Sequence, residues 1–531
     1  MDSYDEIPYH SAPFTETHPV NLAVIGRLFG LDAPDPDRCR VLELGCANGG
    51  NLIPLAWYLP GATFEGVELS ARQAAEGAAL IAALGLGNVR IRQGDILDLG
   101  PDLGEVDYIL VHGVYSWVPQ AVQEKILALC ARHLSPQGIA YVSYNTLPGW
   151  RMRGMLRDAL LYHTRSTDAP RERLARAYDL LGRLDAAVEG LDALSARYLR
   201  QEIAYLRQAH PSYLYHEYLE TLNEPLLITE FVRRAARHGL QYLADTDLAS
   251  LFPASLGDGA SALVEGIDDQ VELEQYLDFV RNRNFRQTLL CRAERTLSRE
   301  IDLEGLEQFA VFSALQSPRK VDLRLNKPVP FRRPDGRTLE VHHPLTRAAL
   351  VTLEGAFPDS LSMGELRADA QRQVSAAGGH PLAGQVDHLA GEIFSLYAHA
   401  GVGLDTRART FPRGSGERVT ATRLARLQAE RGPGHLATPR HGTVTLDAFA
   451  ARLLGHLDDG RTRGELVDQL TADIVEGRLV MDPPPPAGRD RLKAQVAANC
   501  DRLLALFAHH GVLEGGTAGG GEPVHGRLAT D

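Results

Sequence analysis

The segment Val41-Leu-Glu-Leu-Gly45-Cys-Ala-Asn-Gly49-Gly50 passes from an apolar strand pattern directly into a glycine cluster. Glycine has no Cβ, so the backbone at such a point can turn sharply and approach a ligand closely. A strand, a glycine turn and a following helix make the opening unit of a Rossmann-like domain. A dinucleotide site would need G-x-G-x-x-G to seat a pyrophosphate on the helix start. The spacing from Gly45 to Gly49 does not supply it, and Glu43 would sit badly beside phosphate charge.

Strand-like runs recur at 40–44, 63–69, 89–92, 106–112 and 139–144, separated by helical stretches such as 71–84 and 120–134. This alternation predicts an α/β domain in which helices cover both faces of a parallel sheet. Three positions after the strands carry chemistry. Glu68, in Gly66-Val-Glu68-Leu69-Ser, ends the second strand, where a carboxylate can accept hydrogen bonds from both hydroxyls of a ribose. Asp95, in Gln93-Gly94-Asp95-Ile96, can accept from an adenine amine while Ile96 covers the base. His112-Gly-Val-Tyr115-Ser-Trp117 follows the fourth strand, at the edge where open parallel sheets bind ligands.

This order of glycine turn, ribose acid, adenine acid and post-strand loop resembles that of class I S-adenosylmethionine-dependent methyltransferases. The resemblance implies S-adenosylmethionine as cofactor. The positions it marks are Glu43, Gly45, Ala47, Asn48, Gly49, Glu68, Leu69, Gly94, Asp95, Ile96 and His112. Ala47 stands where that family usually carries glycine, and alanine fits if the backbone there keeps a negative φ. A sulfonium is already an activated methyl donor, so alignment and exclusion of water can supply most of the acceleration without an acid/base triad. An amine acceptor must arrive deprotonated, and aromatic walls can desolvate and orient it. Tyr115, Trp117, Tyr144 and Trp150 follow strands on the expected side, and His112, Tyr115 and Trp117 are the candidate catalytic residues. Each aromatic also reads as packing, and His112 as a cofactor or structural contact. Asn145-Thr-Leu-Pro148 differs from the Asn-Pro-Pro-Tyr motif of nucleobase amine methyltransferases by following the fifth strand and lacking the second proline, so no role is assigned to it.

Longer motifs narrow the resemblance. Tyr4-Asp-Glu-Ile-Pro-Tyr9, Phe14-Thr-Glu-Thr-His-Pro19, His112-Gly-Val-Tyr-Ser-Trp-Val-Pro119 and Asn145-Thr-Leu-Pro-Gly-Trp150 look like bacterial methyltransferases that carry a methyltransferase regulatory domain. His216-Glu-Tyr-Leu219, Asn223-Glu-Pro225 and Asn284-Phe-Arg-Gln-Thr-Leu-Leu290 resemble that regulatory domain itself. Rickettsial protein-lysine methyltransferases that modify an outer-membrane surface protein are of this type. The resemblance implies methylation of lysine in a protein substrate, with 4–18 helping to close the site. The alternatives are a small-molecule methyltransferase and a non-catalytic S-adenosylmethionine-binding sensor.

The 531 residues exceed one core and predict about three or four domains. We assign 1–163 to the methyltransferase domain and 164–212 to a helical linker. In the linker Leu174, Tyr178, Leu181, Leu184, Val188, Leu191, Leu194 and Tyr198 form an amphipathic stripe. A regulatory domain spans 213–298, with a helix near 225–238 and a strand at 240–244. Ser362-Met-Gly-Glu-Leu366 and Thr462-Arg-Gly-Glu-Leu466 each precede a longer helix that ends at a glycine. This marks two similar helical units, 299–410 and 411–514, that resemble winged helices. Pro483–Pro486 reads as an inserted loop and 515–531 as a disordered glycine-rich tail. Arg281, Arg283, Arg286 and Arg292 read as a solvated helix face rather than a phosphate patch.

A formal charge of −13 argues against broad nucleic-acid affinity, which depends on basic surface. For the winged-helix-like units, packing, substrate docking or a homodimer through the helical region is favoured over DNA binding. The sequence has no run of eighteen apolar residues and no signal-peptide pattern at its start, so a cytoplasmic protein without membrane insertion is expected. The five scattered cysteines predict free thiols and no metal site.

Overall fold

The computed structural model describes residues 6–7, 11–379, 385–414, 418–458, 460–481 and 488–514. The expected loop at 483–486 and tail at 515–531 lie outside these residues. The chain divides into two compact units, Met1–Ser11 with Phe29–Leu297 and Ala12–Leu28 with Ser298–Asp531.

The first unit is built on seven strands: β1 (Arg40–Leu44), β2 (Thr63–Glu68), β3 (Val89–Gln93), β4 (Val106–Val111), β5 (Leu134–Asn145), β6 (Leu240–Asp245) and β7 (Phe285–Arg292). They lie in the order β3-β2-β1-β4-β5-β7-β6. β1 to β5 are mutually parallel, and β7 runs antiparallel to both β5 and β6. The Val/Ile/Leu-rich strands are explained by their place in the middle of the sheet. Ile109, Leu110 and Val111 of β4 and Ile139 to Val142 of β5 are fully buried, as helix-covered parallel strands must be.

Residues 213–298 do not stand apart from this sheet: they supply β6 and β7. Without them β5, apolar on both faces, would present a free edge prone to pairing with other chains. The ladder from Ala140↔Leu290 to Asn145↔Phe285 closes that edge. The arginine cluster is therefore corrected. Arg286 is a strand residue, fully buried, and not part of a solvated helix face.

The linker stripe forms two helices, Pro170–Ala187 and Leu194–Gln208, separated by a turn containing Gly190 at φ 73°. Their apolar faces meet helices Gly149–Thr164 and Pro211–Tyr218 through Leu156, Leu160, Leu181, Ile203, Leu206 and Leu214.

The second unit contains two copies of one small motif. In each, a short strand (Ala310–Phe312 or Arg418–Ala421) sits centrally between two others, one just before a helix and one at the end of the copy. Ser362 with Glu365, and Thr462 with Glu465, form capping boxes at equivalent helix starts. Each copy also carries a β-hairpin, Val329–Arg332 with Thr338–Val341 and Gly434–Ala437 with Thr443–Leu446. No helix among the described residues is long and apolar enough to cross a membrane.

Candidate functional site

The glycine turn sits at the carboxyl end of β1, beside the point where strand order reverses between β1 and β4. Gly45 and Gly49 have φ 74° and 79°. A Cβ on Gly45 would come within 2.5 Å of Val114 Cγ2, so the loop after β4 can close against this turn only if position 45 is glycine. Gly50 donates to Ser11 Oγ at 2.9 Å, which ties the N-terminal segment to the turn. Of the remainder of 4–18, residues 4–5 and 8–10 lie outside the described residues. Ala47 has φ 49°, contrary to the negative value that its alanine suggested. The backbone is held there because the Ala47 N–H donates to Glu68 Oε2 at 2.8 Å.

Glu68 is bound on both oxygens by main chain, since Ser70 N–H also donates to its Oε1 at 2.9 Å. The carboxylate is thereby fixed at the end of β2. Gly94 N–H donates to the Glu68 carbonyl at 2.9 Å, and Glu68 pairs in register with Gln93. Glu68, the last residue of β2, and Asp95, two residues past β3, therefore occupy the same edge of the sheet. Asp95 Oδ1 accepts from Leu97 N–H at 2.9 Å and caps the single turn Ile96–Asp98. Leu69 is 55% exposed and Ile96 half-buried, leaving apolar surface available on that edge.

Glu43 is the buried acid of the site. Its Oε1 accepts from Asn51 Nδ2 at 2.9 Å, while Oε2 has no hydrogen-bond partner among the described residues. Burial pushes the carboxyl up to about 7; the Asn51 hydrogen bond opposes the rise and Glu68 adds to it. An orphaned carboxylate oxygen in such a place suits a cationic group. Sequence reasoning marked Glu43 but gave no sign of this open valence. Asn48 instead faces Glu76, with Nδ2 3.5 Å from Oε2.

On the other side of the turn, His112 is half-buried, with Nδ1 2.8 Å from Tyr141 Oη and its ring stacked on Tyr141. Burial lowers its pKa to about 4, so the ring is neutral near pH 7. The structure separates the aromatic candidates. Trp117 is half-buried and meets Trp150 edge-on at 6.0 Å. Tyr115 and Tyr144 are core residues, Tyr115 edge-on to Phe231 at 5.2 Å and Tyr144 stacked on Phe231 at 4.2 Å. The expected acceptor-side place for Tyr115 is thus corrected: it has no exposed surface, because the one-turn helix Tyr115–Trp117 turns it inward. Sequence reasoning missed Val114 and Ser11, whose contacts with Gly45 and Gly50 appear only when distant segments meet.

A β3-β2-β1-β4-β5-β7-β6 sheet with β7 antiparallel, carrying a glycine turn and two carboxylates on its carboxyl edge, defines a class I methyltransferase domain. A methyltransferase-domain family model matches residues 41–138, a predicted methyltransferase regulatory domain matches 210–292, and a PKMT C-terminal winged helix domain matches 417–512. The chain is 31% identical to the Rickettsia prowazekii (strain Madrid E) protein RP789 over 485 residues, covering 90% of this chain and 87% of that one. It is 37% identical to RP028 of the same organism over 241 residues, 45% of this chain and 96% of the other. The structure of PKMT2 from Rickettsia typhi in complex with AdoHcy superposes with a TM-score of 0.85 at 28% identity, over 95% of this chain and all of that one. The chain belongs to the class I S-adenosylmethionine-dependent methyltransferases of the rickettsial PKMT type.

Proposed function

We propose that this enzyme N-methylates lysine side chains of a protein substrate. The observation that carries the reading is the match to PKMT2 over nearly the whole chain, winged helices included, and not over the methyltransferase domain alone. A small metabolite would not need so large a non-catalytic portion.

S-adenosylmethionine supplies a methyl group on a positively charged sulfonium. In this reading Glu68 receives the ribose hydroxyls. Asp95 receives the adenine amine, with Leu69 and Ile96 against the base and Gly94 giving it room. Gly45, Ala47, Asn48 and Gly49 form the bend that the methionyl end follows. Glu43, through its unpartnered oxygen, offsets the positive charge there. His112, neutral and fixed by Tyr141, lines the edge as a polar but uncharged wall. The exposed face of Trp117 receives the acceptor's aliphatic stem and sheds its water.

Incubating the full chain with isotope-labelled S-adenosylmethionine and a bacterial lysate, followed by mass spectrometry of proteins and metabolites, tests the proposal. Label on lysine Nε is expected. Label confined to metabolites overturns it.

A further inference from the structure

Asn145, at the carboxyl end of β5, is 3% exposed. Its main chain is fully engaged: N–H donates to Ser116 Oγ at 2.8 Å, and C=O accepts from Leu226 N–H at 3.0 Å. Its side-chain Nδ2 donates to Asn223 Oδ1 at 2.9 Å. Oδ1 takes no hydrogen bond from any described residue. That oxygen is not among the enclosed polar atoms left without a partner, so it keeps an open side from which a donor can approach.

Its location says what that donor is. Ser116, which holds Asn145, belongs to the loop after β4 whose Val114 closes on Gly45 of the donor turn. The same loop carries Trp117, and four residues beyond Asn145 begins the helix holding Trp150, the partner ring. Asn145 is thereby tied both to the loop that closes on the glycine turn and to the segment that carries the Trp117–Trp150 pair. Residues after it are held just as firmly: Thr146 N–H donates to Asn284 C=O at 3.0 Å, Leu147 N–H to Leu226 C=O at 3.1 Å and Gly149 N–H to Arg283 C=O at 2.8 Å. All these clamps come from the region matched as regulatory.

We propose that Asn145 Oδ1 receives an N–H of the acceptor amine, and that Asn223 is the positioning residue that fixes which end of the Asn145 amide faces it. This rests on the amine reading above. With one N–H held, the nitrogen lone pair is aimed along a defined line. The nitrogen forms the new N–C bond, and the methyl carbon's bond to sulfur breaks with its electron pair going to sulfur. The proton of the resulting alkylammonium leaves to water. The hydrogen bond strengthens as positive charge grows on nitrogen, so it favours the transition state over the bound amine.

The probe is n-butylamine, a lysine side-chain mimic, titrated at about pH 9 into the full chain saturated with S-adenosylhomocysteine and followed by tryptophan fluorescence. Asn145→Ala and Asn223→Leu are expected to weaken butylamine binding by about tenfold or more, while Asn223→Asp, which keeps an acceptor for Asn145 Nδ2, restores it. S-adenosylhomocysteine affinity should stay within about twofold in all three. Unchanged butylamine affinity in Asn145→Ala or Asn223→Leu overturns this assignment and leaves the amine reading standing. Loss of S-adenosylhomocysteine affinity in the same variants also overturns it, since these residues then only hold the fold. No response in the unaltered protein overturns the amine reading itself.

Discussion

Arg286 grips Asp278 along one whole edge, with Nε 2.7 Å from Oδ2 and Nη2 2.8 Å from Oδ1, and neither side chain is exposed. The remaining nitrogen, Nη1, donates to Glu274 at 3.0 Å. Arg283 donates to Asp245 at 2.8 Å, completing a buried set of two guanidiniums and three carboxylates. The paired fork geometry is the strong form of such contacts. Burial raises the Asp278 carboxyl, and Arg286 opposes that rise. Arg286→Met would leave Asp245, Asp278 and Glu274 short of their main cation, and removing one partner from a buried network costs about 3–5 kcal/mol. Urea denaturation should show a loss of that order, with β7 amides losing protection from exchange. An unchanged midpoint would mean that the network contributes nothing.

That network was the least legible part of the sequence. Arginine is rarely buried, so four arginines within twelve positions read as a wet surface. Phe285-Arg-Gln-Thr-Leu-Leu-Cys-Arg292 offers no clean alternation, because its arginine points into a closed cage rather than to solvent. By contrast, β1 to β4 were readable to within about two residues: β1 and β4 are central strands written as apolar runs, while β2 and β3, toward the edge, still keep Phe64, Val67, Val89 and Ile91 between helical stretches. Glu68 and Asp95 could be marked because each stands at, or just past, the carboxyl end of its strand. Tyr115 and Trp117 could not be told apart, because a single 3₁₀ turn decides which ring faces inward. The winged-helix strands have two to four residues each, too short for any period to show.

Ala47 at φ 49° is strained. An L-residue in the left-handed region is disfavoured by roughly 1–2 kcal/mol, and glycine is not. Glycine gives back part of that gain through its freer unfolded state, about 0.5–1 kcal/mol. Ala47→Gly should therefore raise the denaturation midpoint slightly, and Ala47→Val should lower it clearly. A destabilised glycine variant would contradict the assigned backbone.

Removing either edge acid should be felt at the donor. Glu68→Ala deletes the group that receives Ala47 N–H and Ser70 N–H, so the turn loosens as well as losing the proposed ribose contact. Asp95→Ala removes the proposed adenine contact with less effect on the turn. Each should weaken S-adenosylhomocysteine binding by about 1–3 kcal/mol in calorimetry, Glu68→Ala more than Asp95→Ala. Wild-type affinity in both variants would remove the donor site from this edge.

Glu43 links the site to pH. Its carboxyl titrates near 7 in the folded chain, against an ordinary 4.5, because burial penalises the charged form. Between those values the folded chain keeps a proton that the unfolded chain has released. Stability therefore falls as pH rises from 4.5 to 7, with the penalty absent below the window and complete above it. A shift of this size corresponds to about 3 kcal/mol. Glu43→Gln should accordingly stabilise the chain above neutrality and do nothing in acid. A positive sulfonium nearby favours the ionised acid, so binding S-adenosylmethionine just below neutral pH should expel a proton. Calorimetry in buffers of different ionisation enthalpy would detect it. S-adenosylhomocysteine, which lacks that charge, should expel less, and Glu43→Gln none. Equal proton release with both ligands would show that Glu43 does not sense the methyl-bearing charge.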